Sequence, residues 1–324
     1  MLRAALLILA SVLAILASES CVAQTYPTKP IKLVVSQAPG GHSDIIGRAI
    51  GEKLAEILNQ PVVIENRGGA GGTIGADVVV RAPRDGYTLL LGGSSNLAIA
   101  VALVKEVRYQ PTRDFVPIGG VAVVPYAVAV RPGVPATNVQ ELLAFARAHP
   151  GRLTYGSSGV GSTSSLVVEW LKSAAGVDIV HVPYRGTGPA VLALLGGEID
   201  MVATDLSLLA PHAKAGTLRL LAAAGARRAS AAPDIPTVAE QGIAGFAIDA
   251  WYGLVAPAGT PLEVVATLSA ALRQALQAPE IGRRFDELGY EPIADTPAQF
   301  GALIRADIER YAVLIKRAGI RADP

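Results

Sequence analysis

The chain has 324 residues, of which 51% are hydrophobic and only 5% aromatic, and its formal net charge is +1. With no run of like charges and no basic stripe, its charge pattern speaks against nucleic acid or an anionic membrane surface as a partner. The length and an aliphatic composition together predict an α/β fold with buried strands, in one large or two medium domains.

The N-terminal segment has the features of an export signal. Arg3 precedes an apolar run over residues 4–18, and Cys21-Val22-Ala23 puts small residues where a signal peptidase reads. The run is shorter than the roughly 20 residues that span a bilayer, which favours a signal peptide over a membrane anchor. Glu19 and its neighbours speak against a lipid anchor on Cys21. We predict a Sec signal peptide over residues 1–23, cleavage after Ala23, and a cysteine-free periplasmic protein.

Short apolar runs then alternate with helical patterns, as in parallel strands joined by crossover helices. The first half reads strand-helix three times, from "IKLVVS" with "DIIGRAIGEKLAEIL" through "PVVIEN" with "TIGADVVVRA" to "GYTLLLGG" with "LAIAVALV". The helical period of the first helix buries one face, formed by Ile45, Ile46, Ala49, Ile50, Leu54 and Ile57.

The pattern begins again after residue 133. A helix with Asn138 and Glu141 as a capping pair leads into strands "LTYG", "DIVHVPY", "IDMVATD" and "LRLLAAAG", with helices between them. A long strand around "AWYGLVAP" and three closing helices follow. We therefore expect two α/β units.

Glycine-rich turns stand at corresponding helix entrances of the two units, "APGGHSD" in the first and "GSSGVGSTS" in the second. A helix N-terminus attracts anions through its unpaired N–H groups, and glycine lets the backbone approach a ligand. Two such turns facing each other across a cleft would hold a small carboxylate. The alternative, that they are only tight turns with Ser43 and Ser162 as N-caps, stays open. "ENRGGAGGTIGA" is a third entrance of this kind.

Other chemistries fit the residues poorly. Neither glycine-rich segment ends in the Lys-Ser/Thr of a phosphate loop, and no Gly-x-Ser-x-Gly marks a nucleophile elbow. The four histidines lie far apart, without metal-ligand spacing. We expect no metal, no cofactor and no catalytic residue. Asp44 lies in the first turn of a helix, where either the helix dipole or contact with a ligand explains an acidic residue. Asp205 lies at the end of a strand, where it either caps the next helix or accepts a hydrogen bond from a ligand.

In this order, several segments resemble the tripartite tricarboxylate transporter substrate-binding proteins, also called Bug receptors. They include "APGGHSDIIGRAI", "VVIENRGGAGGTIGA", "APRDGYTLLLG", "YGSSGVGSTSSLVVEWLK", "VPYRGTGPAVLALLGGEIDM" and "WYGLVAPAGTP", and they extend over essentially the whole mature chain. The resemblance implies a two-domain periplasmic binding protein, a Venus flytrap whose domains are mixed sheets flanked by helices. Such a receptor closes on a carboxylated solute and delivers it to a membrane permease.

The resemblance also implies which residues bind. In the family, the turns at these places give main-chain and hydroxyl contacts to a carboxylate, partly through water, and an aspartate commonly faces the pocket at the place of Asp205. With Ser94 added, the candidate ligand contacts are Pro39, Gly40, Gly41, His42, Ser43, Asp44, Ser94, Ser157, Ser158, Gly159, Gly161, Ser162, Thr163 and Asp205.

The chain departs from the family pattern at two places. Where the family usually has Val-Pro-Phe or Val-Pro-Tyr, this chain has Val35-Ser36-Gln37, so we expect a more polar wall and a different ligand preference. Ser165 and Leu166 stand where the family often has a histidine and a leucine, and a polar contact from that histidine is missing.

These observations predict one domain from residues 26–122 plus 250–324 and another from 123–249, with hinge crossings near 119–124 and 246–251. The expected protein is a monomeric receptor for a small organic acid or amino acid, with permease subunits as partners. A receptor that signals to a sensor kinase uses the same architecture and stays an alternative. An exported hydrolase with Ser94 or Ser158 as its nucleophile is a third hypothesis.

Overall fold

The computed structural model describes residues 26–321. The predicted signal peptide and its cleavage site after Ala23 lie outside the described residues. Within residues 26–321, no helix combines the length and the apolar character needed to cross a membrane.

The first lobe begins with three strand-helix units and ends in a long strand. Its elements are β1 (Ile31–Val35), α1 (His42–Leu58), β2 (Val62–Asn66), α2 (Thr73–Val80), β3 (Thr88–Gly93), α3 (Ala100–Leu103), α4 (Pro111–Asp114) and β4 (Phe115–Val124). A short 3₁₀ turn, Ala70–Gly72, precedes α2, and a π-helical turn, Ser95–Ile99, leads into α3.

The second lobe follows without a break in the chain. Its elements are β5 (Tyr126–Val130), α5 (Val139–Ala148), β6 (Thr154–Ser157), α6 (Thr163–Ala175), β7 (Val180–Pro183), α7 (Thr187–Leu195), β8 (Met201–Asp205), α8 (Leu206–Lys214) and β9 (Arg219–Ala223). The chain then returns to the first lobe with β10 (Ala250–Pro257), α9 (Leu262–Leu276), α10 (Pro279–Leu288), β11 (Glu291–Pro292) and α11 (Pro297–Arg317).

Each lobe contains one mixed sheet. The first has the order β11-β4-β10-β3-β1-β2, in which β1, β2 and β3 are parallel and β10 is antiparallel to both of its neighbours. The second has the order β7-β6-β8-β5-β9, in which β6, β7 and β8 are parallel and β5 is antiparallel to both of its neighbours. The predicted α/β class with two mixed sheets is confirmed.

Strand β5 shows how the sequence divides the core. Successive side chains of a strand point to opposite faces. Val128 and Val130 belong to the large core that extends into the first lobe, whereas Ala127 and Ala129 pack with α7 and α8 in a separate cluster. The sheet of the second lobe is therefore buried on both faces, which explains its continuous apolar strands.

The predicted helix features are confirmed in part. In α1, Ile46, Ile50 and Leu54 are buried as the period required, while Ile45, Ala49 and Ile57 of the predicted face are only half-buried. In α5, Asn138 accepts a hydrogen bond from the backbone N–H of residue 141 as predicted.

Candidate functional site

The two lobes meet at the carboxyl ends of their parallel strands. This is where ligands of open α/β sheets bind, because loops and helix N-termini collect there. Backbone contacts join the lobes directly, for example from the Ala38 N–H to the Arg185 carbonyl oxygen at 3.2 Å. We call the interface between these strand ends the cleft.

The first predicted turn enters the cleft only in part. Pro39 and Gly40 are exposed, whereas Gly41, His42 and Ser43 are buried. The residue that caps α1 is Gly41, in an extended conformation without a side-chain cap, so the alternative that assigned the cap to Ser43 is wrong. Ser43 lies inside the helix, and its hydroxyl is available for another contact.

The Asp44 side chain stabilises this turn through hydrogen bonds. Its carboxylate accepts hydrogen bonds from the Gly40 N–H, Arg48 Nε and Asn66 Nδ2, each at 3.0 Å. Burial opposes the charged form, but these hydrogen bonds and the Arg48 charge keep the pKa of Asp44 below its usual value. All three partners of Asp44 belong to the first lobe.

The segment that meets this turn from the second lobe consists of the β7–α7 loop, residues 184–186, and the first two residues of α7. A Cβ atom on Gly68 would lie 2.6 Å from the Arg185 carbonyl oxygen, and one on Gly188 would lie 3.3 Å from the Gly40 oxygen. Main chain therefore packs on main chain. The sequence interpretation gave this loop no role, although "YRGTGP" repeats the glycine-rich entrance seen elsewhere.

His42 lies at the centre of the cleft and is fully buried. Its Nδ1 lies 3.2 Å from Thr187 Oγ1, and its Nε2 contacts the Tyr252 hydroxyl and lies 3.3 Å from Gln37 Nε2. Burial lowers the pKa of His42 to about 3. The ring is neutral at physiological pH and contributes hydrogen bonds rather than charge.

The second predicted turn, residues 157–163, is a compact hydroxyl network. Ser162 caps α6 by accepting from the Ser165 N–H at 3.1 Å, as the alternative assignment proposed. Ser158 and Ser164 are joined by their hydroxyls at 3.1 Å, and Ser157 Oγ lies 2.6 Å from His181 Nε2. Many of the hydroxyls expected to contact a ligand thus contact one another.

This second turn packs on the third glycine-rich entrance rather than on the first turn. A Cβ on Gly159 would lie 2.6 Å from the Gly71 nitrogen, and a Cβ on Gly71 would lie 2.7 Å from the Val160 oxygen. Both glycines have positive φ angles, 117° and 64° respectively. Gly161 likewise packs on Ala100, with its own φ at 74°.

Ser94 joins the lobes at the same place. Its hydroxyl lies 2.9 Å from Thr163 Oγ1, and Ser95 Oγ accepts from the Thr163 N–H at 3.0 Å. Ser95 therefore occupies one N–H of the α6 N-terminus from the opposite lobe. Sequence reasoning included Ser94 and missed Ser95.

Asp205 is a fully buried carboxyl at the end of β8. It caps α8 through the Ser207 N–H at 2.8 Å and also accepts from the Tyr290 hydroxyl, which comes from the first lobe. Burial raises the pKa of Asp205 to about 6, although these hydrogen bonds oppose the shift. Sequence analysis did not identify Tyr290.

Tyr290→Phe should lower the free energy of unfolding by about 1 kcal/mol at pH 8, where Asp205 is ionised and loses a hydrogen bond to its charge. The loss should be smaller at pH 5, where Asp205 is mostly protonated. Urea denaturation at both pH values measures the difference. Tyr184→Phe, at a partly exposed tyrosine of the second lobe, is the control. Equal losses at both pH values would show that the Tyr290 hydroxyl does not act on the carboxylate.

Three buried hydroxyls at the cleft end of the lobes make no well-formed hydrogen bond to another described residue: Ser43 Oγ, Tyr126 Oη and Thr204 Oγ1. The Tyr252 hydroxyl lies beside the first two. Ser43 belongs to the first turn of α1, while Tyr126 pairs with Asp205 across the β5–β8 ladder. An unpaired buried hydroxyl costs on the order of 1–3 kcal/mol. These groups are available to a polar molecule in the cleft.

The structure thus brings the predicted residues to one cleft from both lobes, apart from exposed Pro39 and Gly40. It adds Thr187, Ser95 and Tyr290 as residues that bridge or line the cleft, and it places Gln37, singled out in the sequence as part of a polar wall, against Thr187. Over residues 26–321, no group of three or more His, Cys, Asp or Glu side chains is arranged to hold a metal ion.

Comparison with known proteins identifies the family. Residues 46–320 match the model of the tripartite tricarboxylate transporter family receptor. Protein BugT of Bordetella pertussis is 34% identical over 300 residues, covering 92% of each chain. The solved structure of the periplasmic binding protein BugD is 34% identical with a TM-score of 0.88, covering 92% of this chain and 100% of BugD.

A second solved structure, MatC from Rhodopseudomonas palustris with bound malate, is 33% identical with a TM-score of 0.86. The match covers 90% of this chain and 100% of MatC. The chain therefore belongs to the tripartite tricarboxylate transporter receptor family, and its fold is that of the two-domain periplasmic binding proteins.

Proposed function

We propose that this protein captures a small carboxylate-bearing solute between its lobes and delivers it to a tripartite tricarboxylate-type permease. The observation that carries the proposal is the set of buried hydroxyls on Ser43, Tyr126 and Thr204 that make no well-formed hydrogen bond, at strand and helix ends between the lobes. Hydroxyls and helix N–H groups together suit a carboxylate without a cationic side chain. Malate in MatC is a solute of this class.

The proposed domain division supports such a capture. Residues 26–122 plus 250–324 would move as one domain and residues 123–249 as the other, with hinges near 119–124 and 246–251. In support, β5 to β9 form a separate sheet, and the chain passes between the sheets after β4 and before β10. Closing the lobes would enclose the solute between the turns that precede α1, α6 and α7.

We propose binding without chemical conversion, in the periplasm and after removal of the signal peptide. The two serines considered as nucleophiles have hydroxyl partners instead of a base: Ser94 pairs with Thr163, and Ser158 with Ser164. After incubation with the protein, a solute should have the same mass, measured by mass spectrometry, as before. Recovery of a hydrolysed ester or amide would favour the hydrolase hypothesis.

A thermal-shift screen tests the ligand class. The panel contains malate, other mono-, di- and tricarboxylates, and amino acids, each at 1 mM. An acid at about 100 times its Kd stabilises the native state by about 2.7 kcal/mol, which corresponds to a Tm increase of about 5 °C. Dimethyl malate, which keeps the carbon skeleton and lacks the charges, is the matched control for malate. No shift with any acid, or equal shifts with acid and ester, would contradict the proposal.

A further inference from the structure

Three side chains form a closed ring of hydrogen bonds across the cleft. Thr187 Oγ1 donates to Gln37 Oε1 at 3.4 Å, Gln37 Nε2 lies 3.3 Å from His42 Nε2, and His42 Nδ1 lies 3.2 Å from Thr187 Oγ1. A neutral His42 carrying its hydrogen on Nδ1 donates to Thr187. The single lone pair of its Nε2 faces two donors, the Tyr252 hydroxyl and the Gln37 amide, and the Tyr252 contact is the shorter of the two.

The ring connects the lobes. Gln37 and His42 belong to the first lobe, and Thr187 opens α7 in the second. All three side chains are buried, with exposed fractions of 6%, 0% and 1% respectively. Because Thr187 would move away with its lobe, two of the three hydrogen bonds exist only when the lobes are closed.

The ring also differs from the rest of the cleft in how its polar atoms are used. Ser43 and Tyr126, close to His42, present hydroxyls without a well-formed hydrogen bond. Both nitrogens of His42 and both polar atoms of the Gln37 amide, in contrast, are occupied by protein groups, with Tyr252 also on His42 Nε2. A solute in the cleft would find the hydroxyls available and the ring already satisfied.

We infer that Gln37, His42 and Thr187 form a clasp that holds the lobes together, and that these residues act on solute affinity through closure rather than by touching the solute. Gln37 then sets how readily the lobes close. It does not select the solute, contrary to the expectation from its departure from the family pattern. The part of this inference that concerns affinity rests on the proposed function, and the part that concerns closure does not.

Thr187→Val and Gln37→Leu test the clasp from opposite lobes. Small-angle X-ray scattering of the protein without added acid should show a larger radius of gyration for each variant than for wild type, because more molecules are open. Calorimetric titration with malate, and with any acid that stabilises wild type, should show about fivefold weaker binding for all acids alike. The double variant should be no weaker than the weaker single variant, because both changes break one ring.

Thr217→Val is the matched control, since Thr217 is exposed on the second lobe and its hydroxyl donates to the His212 carbonyl oxygen of the same lobe. Thr187→Ser keeps the hydroxyl and should restore closure and affinity. Unchanged scattering for both single variants would overturn the clasp. A changed order of preference among acids would overturn it too, because it would place Gln37 or Thr187 against the solute. If no acid binds wild type, the proposed function fails, and scattering still decides the clasp.

Discussion

Gly41→Val should weaken solute binding by at least 100-fold while leaving the fold intact. A Cβ at this position would lie 2.9 Å from Gln37 Oε1 and 3.1 Å from Thr187 Oγ1, and valine adds two methyl groups beyond it. The backbone is not the obstacle. Gly41 has φ −82° and ψ 165°, a conformation that valine adopts readily. The valine side chain would instead collide with Gln37 of its own lobe and with Thr187 of the opposite lobe, and the second collision would prevent closure.

Calorimetric titration and circular dichroism together check this prediction, since a 100-fold change in Kd corresponds to about 2.7 kcal/mol. Gly282→Val is the matched control: Gly282 lies in α10, and a Cβ there meets no atom within 4 Å. Gly41→Ala should give an intermediate loss. If Gly41→Val binds as well as wild type, the turn before α1 does not take part in closure or binding.

The second large effect concerns pH. His42 has a pKa of about 3 in the folded protein, against about 6.5 for an exposed histidine. Below pH 6.5 the unfolded chain takes up a proton that the folded chain does not, so the stabilisation associated with neutral His42 is lost as the pH falls. Between pH 7.5 and pH 5 this should lower the free energy of unfolding by about 2 kcal/mol.

The measurement is the pH dependence of urea denaturation for wild type and His42→Gln. Wild type should lose about 2 kcal/mol more than the variant between the two pH values, whatever the variant's stability at pH 7.5. Parallel pH profiles would contradict the prediction. The comparison cancels other groups that titrate in both proteins.

Asp205 acts in the opposite direction and belongs in the same experiment. Its folded pKa of about 6 exceeds the usual 3.8, so the folded chain holds an extra proton between these values and gains stability as the pH falls. Tyr126 and Tyr252 pack against the His42 ring, and Asp205 lies beyond Tyr126. Between pH 7.5 and pH 5, protonation of Asp205 should raise the free energy of unfolding by about 1 kcal/mol. The Asp205→Asn variant should lack this contribution.

The fold followed from the sequence because its signals are local. Alternating apolar runs and helical periods predicted two α/β units, and the family resemblance implied that their sheets are mixed. Asn138 was placed correctly as the cap of α5, whereas the Glu141 side chain bonds to Thr137 instead of completing the pair. The short β11 was missed, since two residues give no periodic signal. It pairs with β4, which lies far earlier in the chain, so the pairing forms only once the chain has returned from the second lobe.

The candidate site could be predicted only in part. Glycines at helix entrances identified Gly41 and Gly159, but the sequence interpretation paired these two turns with each other across the cleft. In the structure the first turn meets Gly188 and the second meets Gly71. Which loops face each other depends on how one lobe sits on the other, and spacing along the chain carries no information about that. Tyr290 was missed for the same reason.

The glycine contacts between the lobes have a further consequence for substitutions at this interface. Gly71 and Gly159 are buried and approach main chain so closely that a single methyl group would not fit between the lobes. A side chain at either position would therefore keep the two backbones apart without removing any polar group of the cleft.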